Sequence, residues 1–146
     1  MIGVESLIGS FDVKSSQVFF YAQAQSLYNV RNSIIPFPTI KYNVGGGFNA
    51  NGTFTAPVSG TYFFSFNGVN EKNTSFALVK LRLNGIEQNT WSIAAANSYL
   101  WETMTLDSTL NLTKGDRVEL FLYTGKLYYD FYNSFNGILL EEDLSL

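Results

Sequence analysis

The chain has 146 residues and a net charge of −3, and its nine Lys and Arg residues are scattered along it. This length fits one domain, with a core large enough to fold without a disulfide or a metal. The absence of His and Cys excludes Ser–His and Cys–His catalysis and zinc sites of the usual ligand types. A nucleic-acid-binding protein would show a basic patch, and the sequence contains no basic run. No apolar run reaches the length of a transmembrane helix.

The composition favours β-strands joined by tight turns. Aromatic residues make up 16% of the chain and charged residues 14%, against about 25% charged residues in typical soluble domains. Helix surfaces are usually rich in Glu, Lys and Ala, whereas aromatic residues prefer strands. The low charge fits a surface that is partly covered by neighbouring subunits, and it fits an aromatic-rich monomer equally well.

Alternation of apolar and polar residues predicts several strands along the chain. Two proline residues, Pro36 and Pro38, break the pattern after the first strand. Glycine and asparagine residues at 45–47 and 49–52 supply turn positions. No segment has the periodicity of an amphipathic helix, so the sequence predicts an all-β sandwich or jelly roll in one domain. The alternating runs stand at residues 18–25, 60–67, 78–83, 100–112, 117–123 and 134–140.

Two of these runs make specific structural predictions. In the run 60–67, the alternation of large and small residues places Tyr62, Phe64 and Phe66 on one face, between two sheets. Phe63 then points the other way. After the run 78–83, Asn84-Gly85 predicts a two-residue type I′ hairpin turn.

The residues between Phe37 and Phe66 follow a spacing of aromatic residues and glycine that resembles the signature of the C1q globular domain. The resemblance continues at residues 114–118 and 135–140, so it covers about residues 18–140. The interval from Phe48 to Phe54 is one residue shorter than the family spacing, which a shortened turn around residues 49–53 would explain. The matching positions are Phe37, Asn43, Phe48, Phe54, Gly60, Tyr62, Phe64 and Phe66.

This resemblance implies a ten-stranded jelly-roll β-sandwich of the C1q/TNF-like type at residues 18–146, preceded by an N-terminal extension at residues 1–17. It also implies a secreted homotrimer that binds proteins, carbohydrates or microbial surfaces and is not an enzyme. The chain contains no Gly-X-Y repeat. We therefore expect a stand-alone C1q domain without a collagen stalk in this chain.

By the same resemblance, the second face of the strand at 60–67 lines a threefold axis. Phe63 and its counterparts on neighbouring strands would then be buried against copies of themselves. The alternative is that Phe63 is an ordinary exposed aromatic residue. The predicted trimer interface consists of Phe63, Ser65, Thr103, Thr105 and Phe135.

The segment 128–133 is the candidate ligand site. Aromatic rings stack on sugar rings, and Asn, Asp and Tyr side chains form hydrogen bonds with hydroxyl groups. A loop of this composition can equally be packed structure or an interface. Asp130 with Asn133 is the nearest candidate for calcium, but the chain lacks an Asp-rich loop, so we predict no metal or cofactor. The candidate ligand residues are Tyr128, Tyr129, Asp130, Tyr132 and Asn133.

The sequence thus leads to the hypothesis of a secreted, trimeric pattern-recognition lectin that serves innate immunity. Three copies of a weak loop site on one trimer would bind with useful avidity. One alternative is a ligand that binds a cell-surface receptor through the groove between subunits. Another is an extracellular structural or protein-interaction module. None of these readings involves nucleic acid or insertion into a membrane.

Overall fold

A computed structural model describes residues 16–72, 76–95, 101–128 and 132–144. Most of the predicted N-terminal extension, residues 1–15, lies outside the described residues. No helix among the described residues has the length and apolarity needed to cross a membrane. The strands of the described part are β1 (Phe19–Gln23), β2 (Ser33–Ile34), β3 (Thr39–Val44), β4 (Phe54–Thr55), β5 (Gly60–Asn70), β6 (Ala77–Leu83), β7 (Ile86–Ala94), β8 (Glu102–Leu112), β9 (Arg117–Thr124) and β10 (Ser134–Glu142).

The ten strands form two antiparallel sheets. The first sheet has the order β3-β1-β10-β5-β8. The second has the order β2-β9-β6-β7, and β4 also pairs with β9. Strands that are consecutive in the chain are often not adjacent in these orders; β10, for example, lies between β1 and β5. The connections therefore cross between the sheets, as in a jelly roll. The predicted ten-stranded all-β fold is therefore confirmed.

The core between the sheets is built from the inward faces of the alternating strands. Tyr62, Phe64 and Phe66 are fully buried, as predicted from their shared parity on β5. The Tyr62 hydroxyl donates a hydrogen bond to the Val58 carbonyl at 2.7 Å. Burial raises the pKa of this tyrosine above its ordinary value. From the second sheet, Leu81 and Leu120 close the core from the other side.

The segment between Phe48 and Phe54 forms a compact turn. Phe48 and Phe54 form an isolated bridge, and both rings are buried. Inside the turn, the backbone N–H of Asn49 donates a hydrogen bond to the Thr53 carbonyl at 3.0 Å. Asn43 holds the turn from β3, because its side chain exchanges two hydrogen bonds with the backbone of Phe48. The turn thus connects two rings of the core, Phe48 and Phe54.

The hairpin between β6 and β7 has the predicted two-residue turn. Asn84 and Gly85 have φ angles of 52° and 80°, and the type I′ turn requires positive values at both positions. The Asn84 side chain also donates to the Asp116 carboxylate at 3.0 Å, and Thr113 donates its backbone N–H to the same carboxylate. These hydrogen bonds, that from Asn84 first, hold the pKa of Asp116 below its ordinary value.

Candidate functional site

The outer face of the first sheet, which points away from the core, carries a row of apolar side chains across four strands. Ile138 on β10 is paired with Phe19 on β1 and with Phe63 on β5. Phe19 is paired in turn with Val44 on β3. Directly opposite residues of antiparallel strands point to the same face. These four residues therefore form one continuous apolar row.

Aromatic residues extend this row toward the edge of the sheet. Tyr42 and Tyr21 are opposite each other in the neighbouring row, and the Tyr42 ring lies 6.2 Å from the Phe19 ring. Two shallow depressions of about 190 and 240 Å³ lie on this face, and Phe19 and Ile138 line both of them. We call the set Phe19, Tyr21, Tyr42, Val44, Phe63 and Ile138 the apolar outer face.

Of the predicted interface residues, Phe63 and Ser65 lie on this outer face in strand β5. Thr103 and Thr105 lie on the same face in β8 and are exposed, opposite Val69 and Asn67 of β5. The face becomes more polar toward these two threonines. The structure therefore places the four residues on one surface, and their part in a trimer stays a prediction.

The prediction for Phe135 is wrong, because its side chain is fully buried in the core. It is opposite Phe66, and its ring lies 5.0 Å from the Phe20 ring and 5.6 Å from the Phe37 ring. The phase of β10 is thus shifted by one residue from the predicted one. Asn136 and Ile138 take the outward positions instead.

A second feature is a cluster of three aromatic side chains at the end of the first sheet where β5 ends and β8 and β10 begin. The Tyr128 ring lies 5.2 Å from the Trp101 ring, edge to face, and 5.7 Å from the Tyr132 ring. Tyr128 is half-buried, whereas Trp101 is 47% and Tyr132 is 63% exposed. We call these three residues the aromatic cluster. Two exposed rings, Trp101 and Tyr132, therefore pack against the half-buried Tyr128, which forms the base of the cluster.

Charged groups border the aromatic cluster on the side of β5. The Trp101 indole N–H donates a hydrogen bond to the Glu71 carboxylate at 3.1 Å. The Lys72 ammonium lies 4.9 Å from the centre of the Trp101 ring. The cluster thus offers aromatic faces, a carboxylate and an ammonium group within one small area.

Asn133 supports this cluster from below and does not itself face a ligand, so its prediction as a binding residue is wrong. Its side chain is buried, and Oδ1 accepts a hydrogen bond from the Val69 N–H at 3.0 Å. Its amide nitrogen donates to the carbonyl of Tyr128. Gly68 leaves the space for it, because a Cβ there would lie 2.8 Å from Asn133 Oδ1. Asn133 therefore joins the end of β5 to the backbone that carries the cluster.

We expect Asn133→Ala to lower the free energy of unfolding by about 2 kcal/mol, because it leaves the partly buried Val69 N–H without its acceptor. Asn29→Ala is the matched control, since Asn29 is an exposed asparagine in the segment between β1 and β2, and its effect should stay within about 0.5 kcal/mol. Urea denaturation of both variants measures the difference. Equal midpoints for the two would contradict the supporting role of Asn133.

The structure brings together Tyr128 and Tyr132 of the predicted ligand residues. Tyr129 and Asp130 lie outside the described residues. Sequence reasoning missed Trp101, Glu71 and Lys72. The alternation did contain a signal for Trp101, because it shares the outward parity of Thr103 and Thr105. Nothing in the sequence indicates that Glu71 and Trp101, 30 residues apart, meet. No three acidic side chains of the described residues gather into a possible metal site.

The outer face of the second sheet carries a separate exposed patch. Trp91 and Ile93 on β7 are 53% and 57% exposed, and Tyr123 on β9 is 46% exposed. Lys80 lies between them: its ammonium is 4.4 Å from the Tyr123 ring and 3.2 Å from the Glu87 carboxylate. We call Trp91, Ile93 and Tyr123 the second-sheet patch.

The profile of the C1q domain family matches residues 19–140 of this chain. Among curated proteins, complement C1q tumor necrosis factor-related protein 3 of Mus musculus is 34% identical over 135 residues, and its Homo sapiens counterpart is 34% identical over 133 residues. Both alignments cover 86% of this chain and 52% of the relative. The chain therefore spans about half the length of these curated relatives.

Solved structures share the fold at low sequence identity. The globular domain of zebrafish complement 1qA superposes with a TM-score of 0.73 at 17% identity, covering 86% of this chain and 99% of that one. Eiger TNF from S. frugiperda gives a TM-score of 0.66 at 13% identity, covering 90% and 98%. Murine APRIL gives 0.62 at 10% identity, covering 86% and 100%.

Proposed function

Because the chain belongs to the C1q domain family, we propose that it is an extracellular recognition protein that forms a homotrimer and binds carbohydrate on microbial surfaces, as a pattern-recognition lectin of innate immunity. As a member of this family it is not an enzyme. The observation that carries the binding proposal is the aromatic cluster, with two half-exposed rings held on a buried support.

The aromatic cluster has the chemistry that sugars require. The apolar face of a sugar ring packs against an aromatic ring, and its hydroxyl groups form hydrogen bonds with polar neighbours. Trp101 and Tyr132 supply ring faces, and the Glu71 carboxylate and the Tyr132 hydroxyl supply polar groups beside them. Because Asn133 fixes the backbone of Tyr128 through side-chain hydrogen bonds, the base of the cluster loses little further freedom when a ligand binds.

The apolar outer face supports the homotrimer. Ile138 is 43% exposed and lies between two aromatic side chains, so a large apolar patch faces water in the single chain. Soluble monomers rarely expose such patches unless a partner covers them. A second and a third copy would cover it. The aromatic cluster stands at one end of this same sheet, so a trimer built on this face would present three clusters at one end.

Glycan-array binding tests the lectin proposal. We expect Tyr132→Ala to weaken glycan binding about tenfold, because it removes the most exposed ring of the aromatic cluster. Tyr123→Ala is the matched control: Tyr123 is a half-exposed tyrosine on the second sheet, and we expect its loss to leave glycan binding unchanged. The absence of glycan binding by the unaltered trimer, or equal binding by the two variants, would contradict the proposal.

A protein receptor is the second candidate partner, and the second-sheet patch is the observation that favours it. Trp91 and Ile93 point away from the sheet that would form the trimer, so they would remain accessible in the assembly. Exposed tryptophan and tyrosine residues are typical centres of protein interfaces. If Tyr123→Ala removes binding to cells while Tyr132→Ala does not, the receptor is the better assignment.

A further inference from the structure

The aromatic cluster already holds a cation on one of its rings. The Lys72 ammonium lies 4.9 Å from the centre of the Trp101 ring, within the roughly 6 Å at which a cation is attracted by the electrons of an aromatic face. The Trp101 indole N–H donates to the Glu71 carboxylate. This hydrogen bond to an anion adds electron density to the ring and strengthens its attraction for a positive charge.

A quaternary ammonium ion suits this site better than a lysine does. It has no N–H groups, so it loses fewer hydrogen bonds to water when it moves onto an aromatic face, and tryptophan is the strongest ring for such contacts. Tyr128 stands edge-on beside Trp101, and Tyr132 lies next to Tyr128. Three aromatic residues and a carboxylate together form the kind of environment that recognises methylated ammonium groups.

Lys72 supplies the second half of the recognition. Its ammonium is carried on a flexible four-carbon chain, so it can leave the Trp101 ring when another cation takes that place. A phosphate attached to the incoming cation would then be within reach of the displaced ammonium. We propose that the aromatic cluster binds phosphocholine groups, with the trimethylammonium on Trp101 and the phosphate paired with Lys72. The proposal deepens the proposed function, since it names a substituent on the surface ligand, and it rests on that function.

The chain offers a direct measurement, because Trp101 and Trp91 are its two tryptophans and are exposed to a similar degree. Their indole N–H groups give two signals in a ¹H–¹⁵N NMR spectrum. Titration of the full chain with phosphocholine should move the Trp101 signal with a Kd on the order of 1 mM, and the Trp91 signal should stay in place. No movement of the Trp101 signal up to about 20 mM, or equal movement of both signals, would overturn the proposal.

Variants separate the two halves of the site. Trp101→Leu should weaken phosphocholine binding about tenfold, followed through the Tyr132 signals. Trp91→Leu is the control and should bind normally. Lys72→Gln should weaken phosphocholine about threefold and leave choline bound at least as tightly, because it removes the phosphate partner and the competing cation together. Weaker binding of both ligands to Lys72→Gln would contradict the assigned geometry. Inorganic phosphate alone should not move the Trp101 signal.

Two further arms distinguish the source of the group and the level at which a failure occurs. Sedimentation with phosphatidylcholine vesicles would assign the group to a lipid headgroup, and binding to phosphocholine-bearing polysaccharide would assign it to a glycan; either result supports the site. If glycan-array binding depends on Tyr132 and phosphocholine has no effect, this inference fails while the lectin proposal stands. If phosphocholine binds and no glycan does, the lectin proposal fails while the phosphocholine site stands.

Discussion

The Ile138→Lys variant is expected to be a folded monomer of 16.3 kDa, in contrast to a trimer of about three times that mass for the unaltered chain. In a trimer built on the apolar outer face, the substitution would bring three ammonium groups into buried positions between Phe19 and Phe63. Burying an unpaired charge costs several kcal/mol per group. In the single chain Ile138 is 43% exposed, so the lysine reaches water and the fold is kept.

Ile93→Lys is the matched control for this experiment. Ile93 is an exposed isoleucine on the outer face of the second sheet, and its substitution adds the same charge without touching the proposed interface. Light scattering should show a monomer for Ile138→Lys and a trimer for Ile93→Lys. A 16.3 kDa species for the unaltered chain at high concentration, or a trimer for both variants, would contradict the interface.

The Phe135→Ala variant is expected to lose about 3–5 kcal/mol of stability, because it leaves a cavity among the rings of the core. The Phe135 ring lies 5.9 Å from the Phe48 ring and 6.1 Å from the Phe64 ring, and it contacts Phe20 and Phe37 as well. A domain of this size has only about 5–15 kcal/mol of net stability. The loss is therefore a large share of the total.

Measuring this variant in the Ile138→Lys background separates core packing from subunit contact. In a monomer, a residue of the trimer interface contributes little to the midpoint of urea denaturation, whereas a core residue contributes its full value. Phe63→Ala in the same background should change stability by less than about 1 kcal/mol, since Phe63 lies on the outer face. Equal losses for Phe63→Ala and Phe135→Ala would show that the assignment of the two faces is wrong.

The contrast between Phe63 and Phe135 shows what alternation can predict. In β5, Tyr62, Phe64 and Phe66 form an unbroken aromatic series, whereas the opposite face combines Phe63 with the polar residues Ser65 and Asn67, so the inward face is evident from the sequence. In β10, Phe135 and Ile138 have opposite parity, and one of them must face outward. The alternation alone does not say which one.

The structure resolves the phase of β10 through Gly137. A Cβ at this position would lie 2.5 Å from the Phe20 ring and 2.9 Å from the Phe64 ring. The residue therefore faces the core and leaves room for both rings, which places Phe135 on the inward side with it. Gly137 therefore identifies the inward face of β10. Alternation of apolar and polar residues could not show this, because it depends on the positions of the Phe20 ring from β1 and the Phe64 ring from β5.

The candidate site was less predictable than the fold because distant segments build it. The aromatic composition of residues 128–133 indicated where ligand chemistry could lie, and Tyr128 and Tyr132 are indeed neighbours. Glu71 and Trp101 reach the same place from other loops, and such meetings follow from the sheet order and not from local spacing. Asn133 has a side chain that could bind a ligand, but its oxygen accepts a hydrogen bond from Val69 N–H and its nitrogen donates one to the Tyr128 carbonyl.

The outer face of the first sheet changes character along its strands. The apolar row at Ile138 gives way, about 13 Å further along the strands, to a row of polar side chains in which Ser134 is opposite Gln23 and Asn67, and Asn67 is opposite Thr105. In a trimer, hydroxyl and amide groups would hold water around the threefold axis at this end, and the aliphatic side chains of Ile138 would exclude it at the other. The axis would therefore be hydrated from the end that carries the aromatic clusters, so solvent and ligand would approach the assembly from the same side.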